Sequence, residues 1–235
     1  MLDGKPEGAF LRVITFDTGK GDWTGNSYRF KLAEGASAIG DFNFIDETRA
    51  LVIERDNGEG DPSLECKTDD KTACYPQPAK VKNIVLVDTA SIDDEGYIKR
   101  IGSINLMDIQ DPDNKAIVET QADRDLKGKF TFPFFTIEDV MRVDDTHIMV
   151  ANDNNLPFSG GRRIGTAADN EFILLEVADF LAANAKLAEI PGVAEAYSFT
   201  GEWDFCAILR LREQDELAHV VTETLSSLPG IVKTQ

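Results

Sequence analysis

Two stretches of the chain gather oxygen-bearing and cationic side chains at the ends of apolar runs. In L-V-I-E-R-D-N, Glu54, Arg55 and Asp56 close such a run. In T-I-E-D-V-M-R-V-D-D-T-H-I-M-V-A-N-D-N-N-L-P-F-S, Glu138 enters a pair of runs, and Asp153 and Asn154 leave it. Carboxylate and amide oxygens so placed are able to bind a ligand. Gly160-Gly161-Arg162-Arg163 follows directly. There the glycines permit close backbone approach, and an arginine grips phosphate or carboxylate bidentately. Arg55 is placed to join it. Gly-Gly-Arg-Arg lacks the Lys-Ser/Thr ending of a Walker loop. Plainer readings compete: Asx-rich turns that satisfy their own backbone, and solvated arginines that balance local acid.

The elements that must position these groups read as β-hairpins. Val140–Val143 and His147–Ala151 favour strands, and Asp144-Asp145-Thr146 between them has turn chemistry. A tight hairpin there brings Glu138 and Asp153 to the same end. Residues 42–57, F-N-F-I-D-E-T-R-A-L-V-I-E-R-D-N, repeat the plan: strand, Asp-containing turn with Thr, strand, and a polar exit ending Asp-Asn. Repeated β units with polar exits are the sequence sign of a propeller, whose loops gather on one face.

The 235 residues suffice for one large domain or two small ones. Hydrophobic residues make up 42% and charged residues 28%, as in soluble globular proteins. A net charge of −18 disfavours nucleic acid and anionic membrane as partners and attracts cations. No apolar run is long enough to span a bilayer, and the opening M-L-D-G-K-P-E-G reads as no signal peptide. Cys66 and Cys74 flank a polar insert and are close enough to form a disulfide, which suits export; free thiols in a loop are the alternative. Cys206 lies in an apolar run and reads as a buried small hydrophobe.

Along the chain, strands are expected over 9–17, 27–32, 82–88 and 98–106, with a Gly-rich turn at 18–25. A polar excursion over 57–80 is expected to loop over the propeller face, and a charged loop or short helix over 108–129. Phe130, Phe132, Phe134 and Phe135 read as packing between β units. Beyond a strand at 171–177 the pattern changes. Helical spacing covers 178–190 and 214–228, the latter with Leu217, Val220, Val221 and Leu225 on one face. Strands are expected at 194–200, 203–211 and 231–234. The order β-α-β-β-α-β is ferredoxin-like.

The motifs I-G-D-F, L-V-I-E-R-D-N, F-P-F-F-T-I-E-D-V, V-A-N-D-N-N-L-P-F-S-G-G-R and D-N-E-F-I-L-L-E-V resemble the later part of the phytase-like (esterase-like) β-propeller family, over about residues 8–177. The family's earlier blades have no counterpart here. The resemblance implies a partial propeller and a metal-dependent hydrolase of phosphate or carboxylic esters. The metal, with Ca²⁺ the expected ion, would polarise the ester and position water. Glu54, Asp56, Glu138, Asp153 and Asn154 are the expected metal-binding oxygens. Glu138, Asp153, Arg55 and Arg162 are the expected catalytic groups, the arginines holding the anionic part of the substrate.

I-P-G-V-A-E-A-Y-S-F-T-G-E-W-D-F-C-A-I-L-R-L and E-L-A-H-V-V-T-E-T-L-S-S-L-P-G-I-V-K-T resemble the effector-binding domain of Lrp/AsnC-type regulators, from about residue 171. The resemblance implies a small-molecule effector, often an amino acid, with Gly201 and Asp204 in its turn motif, and a homodimer through 171–235. No helix-turn-helix precedes it. The expected fold is therefore mainly β with an α+β tail: a partial propeller over 1–177, then a ferredoxin-like domain over 178–235. The strand at 171–177 fits either. The pairing implies a bacterial chimera, a natural or an artificial splice of two genes. The first resemblance implies export, the second the cytoplasm. The competing function is a non-catalytic small-molecule-binding and oligomerisation module.

Overall fold

The computed structural model describes residues 10–93, 95–117 and 128–182, the strands Val193–Ser198 and Phe205–Leu209, and residue 221. The architecture is mainly β, in open sheets. β1 (Phe10–Asp17) and β2 (Asp22–Lys31) form an antiparallel hairpin. β3 (Ala38–Phe44), β4 (Arg49–Arg55), β5 (Lys82–Ile92) and β6 (Ile98–Asn105) form a four-stranded antiparallel meander. The short β7 (Ile109–Gln110) and β8 (Lys129–Phe130) pair with each other. β9 (Thr136–Arg142), β10 (His147–Asp153) and β11 (Phe172–Glu176) form a three-stranded sheet in the order β11-β10-β9. A helix opens at 178, and the first turns of it bury Phe180 and Leu181. β12 (Val193–Ser198) and β13 (Phe205–Leu209) make a separate hairpin. No helix among the described residues is long and apolar enough to cross a membrane.

Three of these sheets stack, and β4 shows why. Its sequence A-L-V-I is apolar at every position, which suits a strand covered on both faces. Side chains alternate along a strand. Ala50 and Val52 therefore pack with Phe30, Val85, Val87 and Ile98 in the core towards β1–β2. Leu51 and Ile53 pack with Ile84, Leu86, Ile137, Val140, Ile148 and Val150 in the core towards β9–β11. Phe130, Phe132 and Phe134 fill the second core. Burying each such side chain is worth about 1.5–3 kcal/mol.

The sequence repeat is a structural one. In β3–β4 the Asp46 carboxylate accepts from the backbone N–H of Thr48 (3.0 Å) and Arg49 (2.7 Å). In β9–β10, Asp144 does the same for Thr146 (2.7 Å) and His147 (2.8 Å). One Asp-x-Thr turn thus closes both hairpins, and its N–H and hydroxyl donors hold the Asp144 carboxyl well below the usual carboxylate range.

The motif I-G-D-F joins the two repeats. The ladder of β3 is interrupted between Ile39 and Phe42. There the Asp41 carboxylate accepts from the Val140 N–H of β9 (3.0 Å), and Asn43 Nδ2 donates to the Val140 carbonyl (2.9 Å). The approach is so close that a Cβ on Gly40 would overlap the Ile137 carbonyl oxygen, which is backbone and has little room to yield. Gly40→Ala is expected to lower stability by about 1–3 kcal/mol through forced separation of β3 from β9. Urea unfolding checks this, with Gly160→Ala, where an added Cβ would meet no atom beyond its chain neighbours closer than 3.4 Å, as the comparison.

Several expected bounds shift. β2 begins at Asp22 rather than 27, because Trp23 pairs across to Phe16 and extends the ladder. The 57–80 excursion is anchored rather than draped. Tyr75 and Ala79 are buried, Gly60 N–H donates to the Pro133 carbonyl, and Cys66 and Cys74 are joined with their Cα atoms 4.9 Å apart. The 171–177 strand, open to either domain from sequence, is bonded to β10. The expected helix at 214–228 and strand at 231–234 lie outside the described residues.

Candidate functional site

The candidate residues are split by the period of β4. Glu54 shares the face of Ala50 and Val52, whereas Arg55 shares the face of Leu51 and Ile53 and looks towards β9. Glu54 therefore cannot join Arg55 in one site. Its carboxylate is wholly buried and fully used. Arg100 donates to both oxygens (2.9 and 2.8 Å), Asn83 Nδ2 to one (3.0 Å) and the Ala33 N–H to the other (3.0 Å). Burial pushes the Glu54 carboxyl up, but Arg100, Asn83 and Ala33 together hold it below the usual range. Glu54 serves here as a structural ion-pair partner, with both oxygens occupied.

Asp56 is engaged in the same way. It accepts from the N–H groups of Gly58 (3.1 Å), Lys80 (2.8 Å) and Val81 (2.9 Å), and pairs with the Lys82 ammonium at 3.0 Å. Burial alone would raise the Asp56 carboxyl; the Lys82 charge and these donors outweigh it and lower it. Lys82 has no exposed surface and also donates to the carbonyls of Asp56 (3.0 Å), Gly58 (2.9 Å) and Phe135 (3.3 Å). This lysine, at the mouth of β5, ties the exit of β4 to the entrance of β9. Sequence reading missed it, although a lysine opening an apolar strand is the signal that was there.

Arg162 is also engaged within the chain. Its guanidinium makes a two-point pair with Glu171 (2.9 and 2.7 Å), donates twice to the Thr131 carbonyl (3.1 Å each), and lies over the rings of Phe130 and Phe134. It staples the loop between β10 and β11 to the aromatic core. The adjoining Gly160 and Gly161 N–H groups, open to an anion by sequence, face the Glu59 carboxylate of the same chain (3.1 and 3.4 Å). Glu59 lies some hundred residues away in sequence, so no local pattern announces that contact.

Asp153 and Asn154 form Asx turns. Asp153 accepts from the Asn155 N–H (3.0 Å) and Asn154 from the Leu156 N–H (3.1 Å). Asn152, buried, binds Asp169 and Glu171 backbone and closes β10 onto β11. The plainer reading of the N-D-N-N run, backbone satisfaction, describes its geometry.

What the fold does bring together is Arg55 and Glu138. In the β9–β10 ladder Ala151 faces Asp139 and Asn152 faces Ile137, so Glu138 is the extra residue of a bulge. A bulge re-aims the side chain that it carries. The Glu138 carboxylate stands 3.9 Å from the Arg55 guanidinium and is 42% exposed, while the Arg55 side chain is only 10% exposed. Arg55 donates to Asn57 (3.1 Å) and stacks over Phe135, and its ε-nitrogen has no partner. Glu138 and Asp153 lie at the same end of the hairpin, as the short turn predicts: Thr136 is the ladder partner of Asp153.

The residues present do not fit the expected Ca²⁺ site. That ion takes six to eight oxygens. Glu54 has its oxygens committed to Arg100, Asn83 and Ala33, and Asp56 has its oxygens committed to Lys82 and three backbone N–H groups. Among the described residues no group of three or more His, Cys, Asp or Glu side chains is placed to hold a metal. Gly201 and Asp204, the expected effector residues, lie outside the described residues.

Comparison with known families agrees with the two halves of this architecture. A phytase-like family model, described as esterase-like activity of phytase, matches residues 1–156. The Lrp/AsnC ligand-binding domain matches residues 173–235. No curated protein and no solved structure gives a match. The second match opens inside β11, a strand whose ladder belongs to β10. The first match takes in all three stacked sheets apart from that strand, together with both copies of the Asp-x-Thr hairpin, and on this ground the chain belongs to the phytase-like family.

Proposed function

We propose that the first domain is a hydrolase of small anionic esters, phosphoric or carboxylic, working at Arg55 and Glu138. The observation that carries this reading is the pair itself: a buried guanidinium with an unpartnered ε-nitrogen beside a half-open carboxylate on a bulge. Burial of such a donor without a partner costs about 1–3 kcal/mol, which a ligand oxygen would recover. In this reading Arg55 receives the anionic oxygen. Glu138 takes a proton from water as that water attacks the ester carbon or phosphorus, and it returns the proton to the alkoxide as the ester C–O or P–O bond breaks and the alcohol leaves.

The test is hydrolysis of p-nitrophenyl acetate and p-nitrophenyl phosphate, with added Ca²⁺ and with a chelator. Turnover of one of them is expected, unchanged by the chelator. It should fall about 100-fold or more in Glu138→Gln and in Arg55→Met. Equal turnover in the wild type and both variants would sink the assignment.

The stacked sheets with their repeated hairpins support reading residues 1–177 as part of a β-propeller. The tail from 178, with the hairpin of β12 and β13, is read as the ferredoxin-like domain. A second function rests on the match at 173–235: binding of a small effector such as an amino acid, with self-association, for which Gly201 and Asp204 are the residues to vary.

A further inference from the structure

The stack of sheets ends in two apolar faces. On the outer side of β9–β11, ladder partners line up as Met141–Met149–Leu174, with Phe172 and Val143 in the flanking rows. Leu174 is 61% and Phe172 68% exposed, and Met141 and Val143 are about half exposed. The inner face of the same sheet, with Val140, Ile148, Val150 and Leu175, is buried. Strand β11 reads F-I-L-L, as apolar as I-V-L-V in β5, and β5 is covered on both sides. A half-solvated sheet instead alternates apolar and polar residues. At the other end of the stack, the outer face of β1–β2 carries Ile14, Phe16 and Trp23, each about half exposed or more, with Phe16 and Trp23 in edge-to-face contact.

We propose that a second copy of this chain covers these faces, the Trp23 face of one molecule seating on the Leu174 face of the other. Two arguments select this occupant and orientation. Within the chain the middle sheet, β3–β6, presents one face to β1–β2 and the other to β9–β11, so a head-to-tail contact gives each end sheet the same two-sided covering. Pairing of two Leu174 faces would instead oppose Asp139 and Glu176, which border the patch, to their own copies. On a chain of net charge −18 that pairing is disfavoured. Two copies satisfy both faces at once if the contact closes on itself; otherwise it propagates.

Light scattering after size exclusion tests this on the full chain, with Leu174→Glu and Trp23→Glu, both at exposed positions. Each variant alone is expected to have a lower mass than the wild type at the same concentration, with unchanged circular dichroism. An equimolar mixture of the two is expected to recover association, because the intact Trp23 face of the first meets the intact Leu174 face of the second. Variants with the mass of the wild type would overturn the proposal, as would a wild type that stays monomeric at high concentration. A mixture that stays at the mass of its parts would overturn the head-to-tail arrangement. Self-association through the tail alone is separable, since it would survive both substitutions.

Discussion

Replacing Arg100 with leucine is expected to destabilise the fold by about 3–5 kcal/mol, because it leaves the Glu54 carboxylate charged in the core between two sheets. Glu54 has no exposed surface, and Arg100 supplies two of the four hydrogen bonds that it accepts. The double variant Arg100→Leu with Glu54→Leu should be markedly more stable than the single one, since the cost lies in the orphaned charge rather than in the lost pair. Urea unfolding of the four proteins measures the coupling. A loss under about 1 kcal/mol in Arg100→Leu would mean that the carboxyl takes up a proton at little cost. The pair also sets an acid limit. The Glu54 and Asp56 carboxyls both lie below their ordinary values, so their stabilisation is fully present above the unfolded carboxylate pKa of about 4. It is lost as pH falls through the folded values. Stability should be level from pH 7 to 5 and decline below about pH 4.

Lys82→Met is the second change of large expected effect, again about 3–5 kcal/mol. Methionine matches the lysine stem in volume but cannot donate, so Asp56 loses its counter-charge and three backbone carbonyls, one of them buried, lose a donor. The loss has a local signature as well. Phe135, one of those three acceptors, lies beneath Arg55. Lys82→Met should therefore lower any ester turnover at Arg55 and Glu138 at temperatures where the protein is still folded. Arg100→Leu, on the opposite face of the sheet, should not. Hydrogen exchange at residues 56–60 and 134–138, faster in Lys82→Met than in Arg100→Leu, checks the same point.

The β content and the repeated hairpin were readable because they rest on near-neighbour chemistry. Asp46-Glu47-Thr48 and Asp144-Asp145-Thr146 each close a turn through donors two and three residues on. Alternation and apolar runs then mark the strands on either side. The same locality made the Asx reading of Asp153 and Asn154 available before any coordinates, since both bond to N–H groups two residues away. The polar excursion at 57–80 was readable as a loop, but its anchoring was not. Gly60 meets Pro133, and Glu59 meets Gly160, through contacts that no local pattern encodes.

Which charges face each other was decided only by the tertiary structure. Glu54 and Arg55 are neighbours in sequence and look like one site, yet the two-residue period of β4 sends them into different cores. Arg162 follows two glycines and looks like an anion grip. The fold turns it inward onto Glu171, Thr131 and two phenyl rings. Lys82 is marked in the sequence only as a lysine opening an apolar strand, and the fold makes it a hub. Residue order by itself determined a two-part chain, its strands and its turns, because those depend on interactions within a few residues. The partners of the buried charges were left to sheet stacking, because desolvation makes a charge seek whatever opposite group or carbonyl the fold brings within reach, at any distance along the chain.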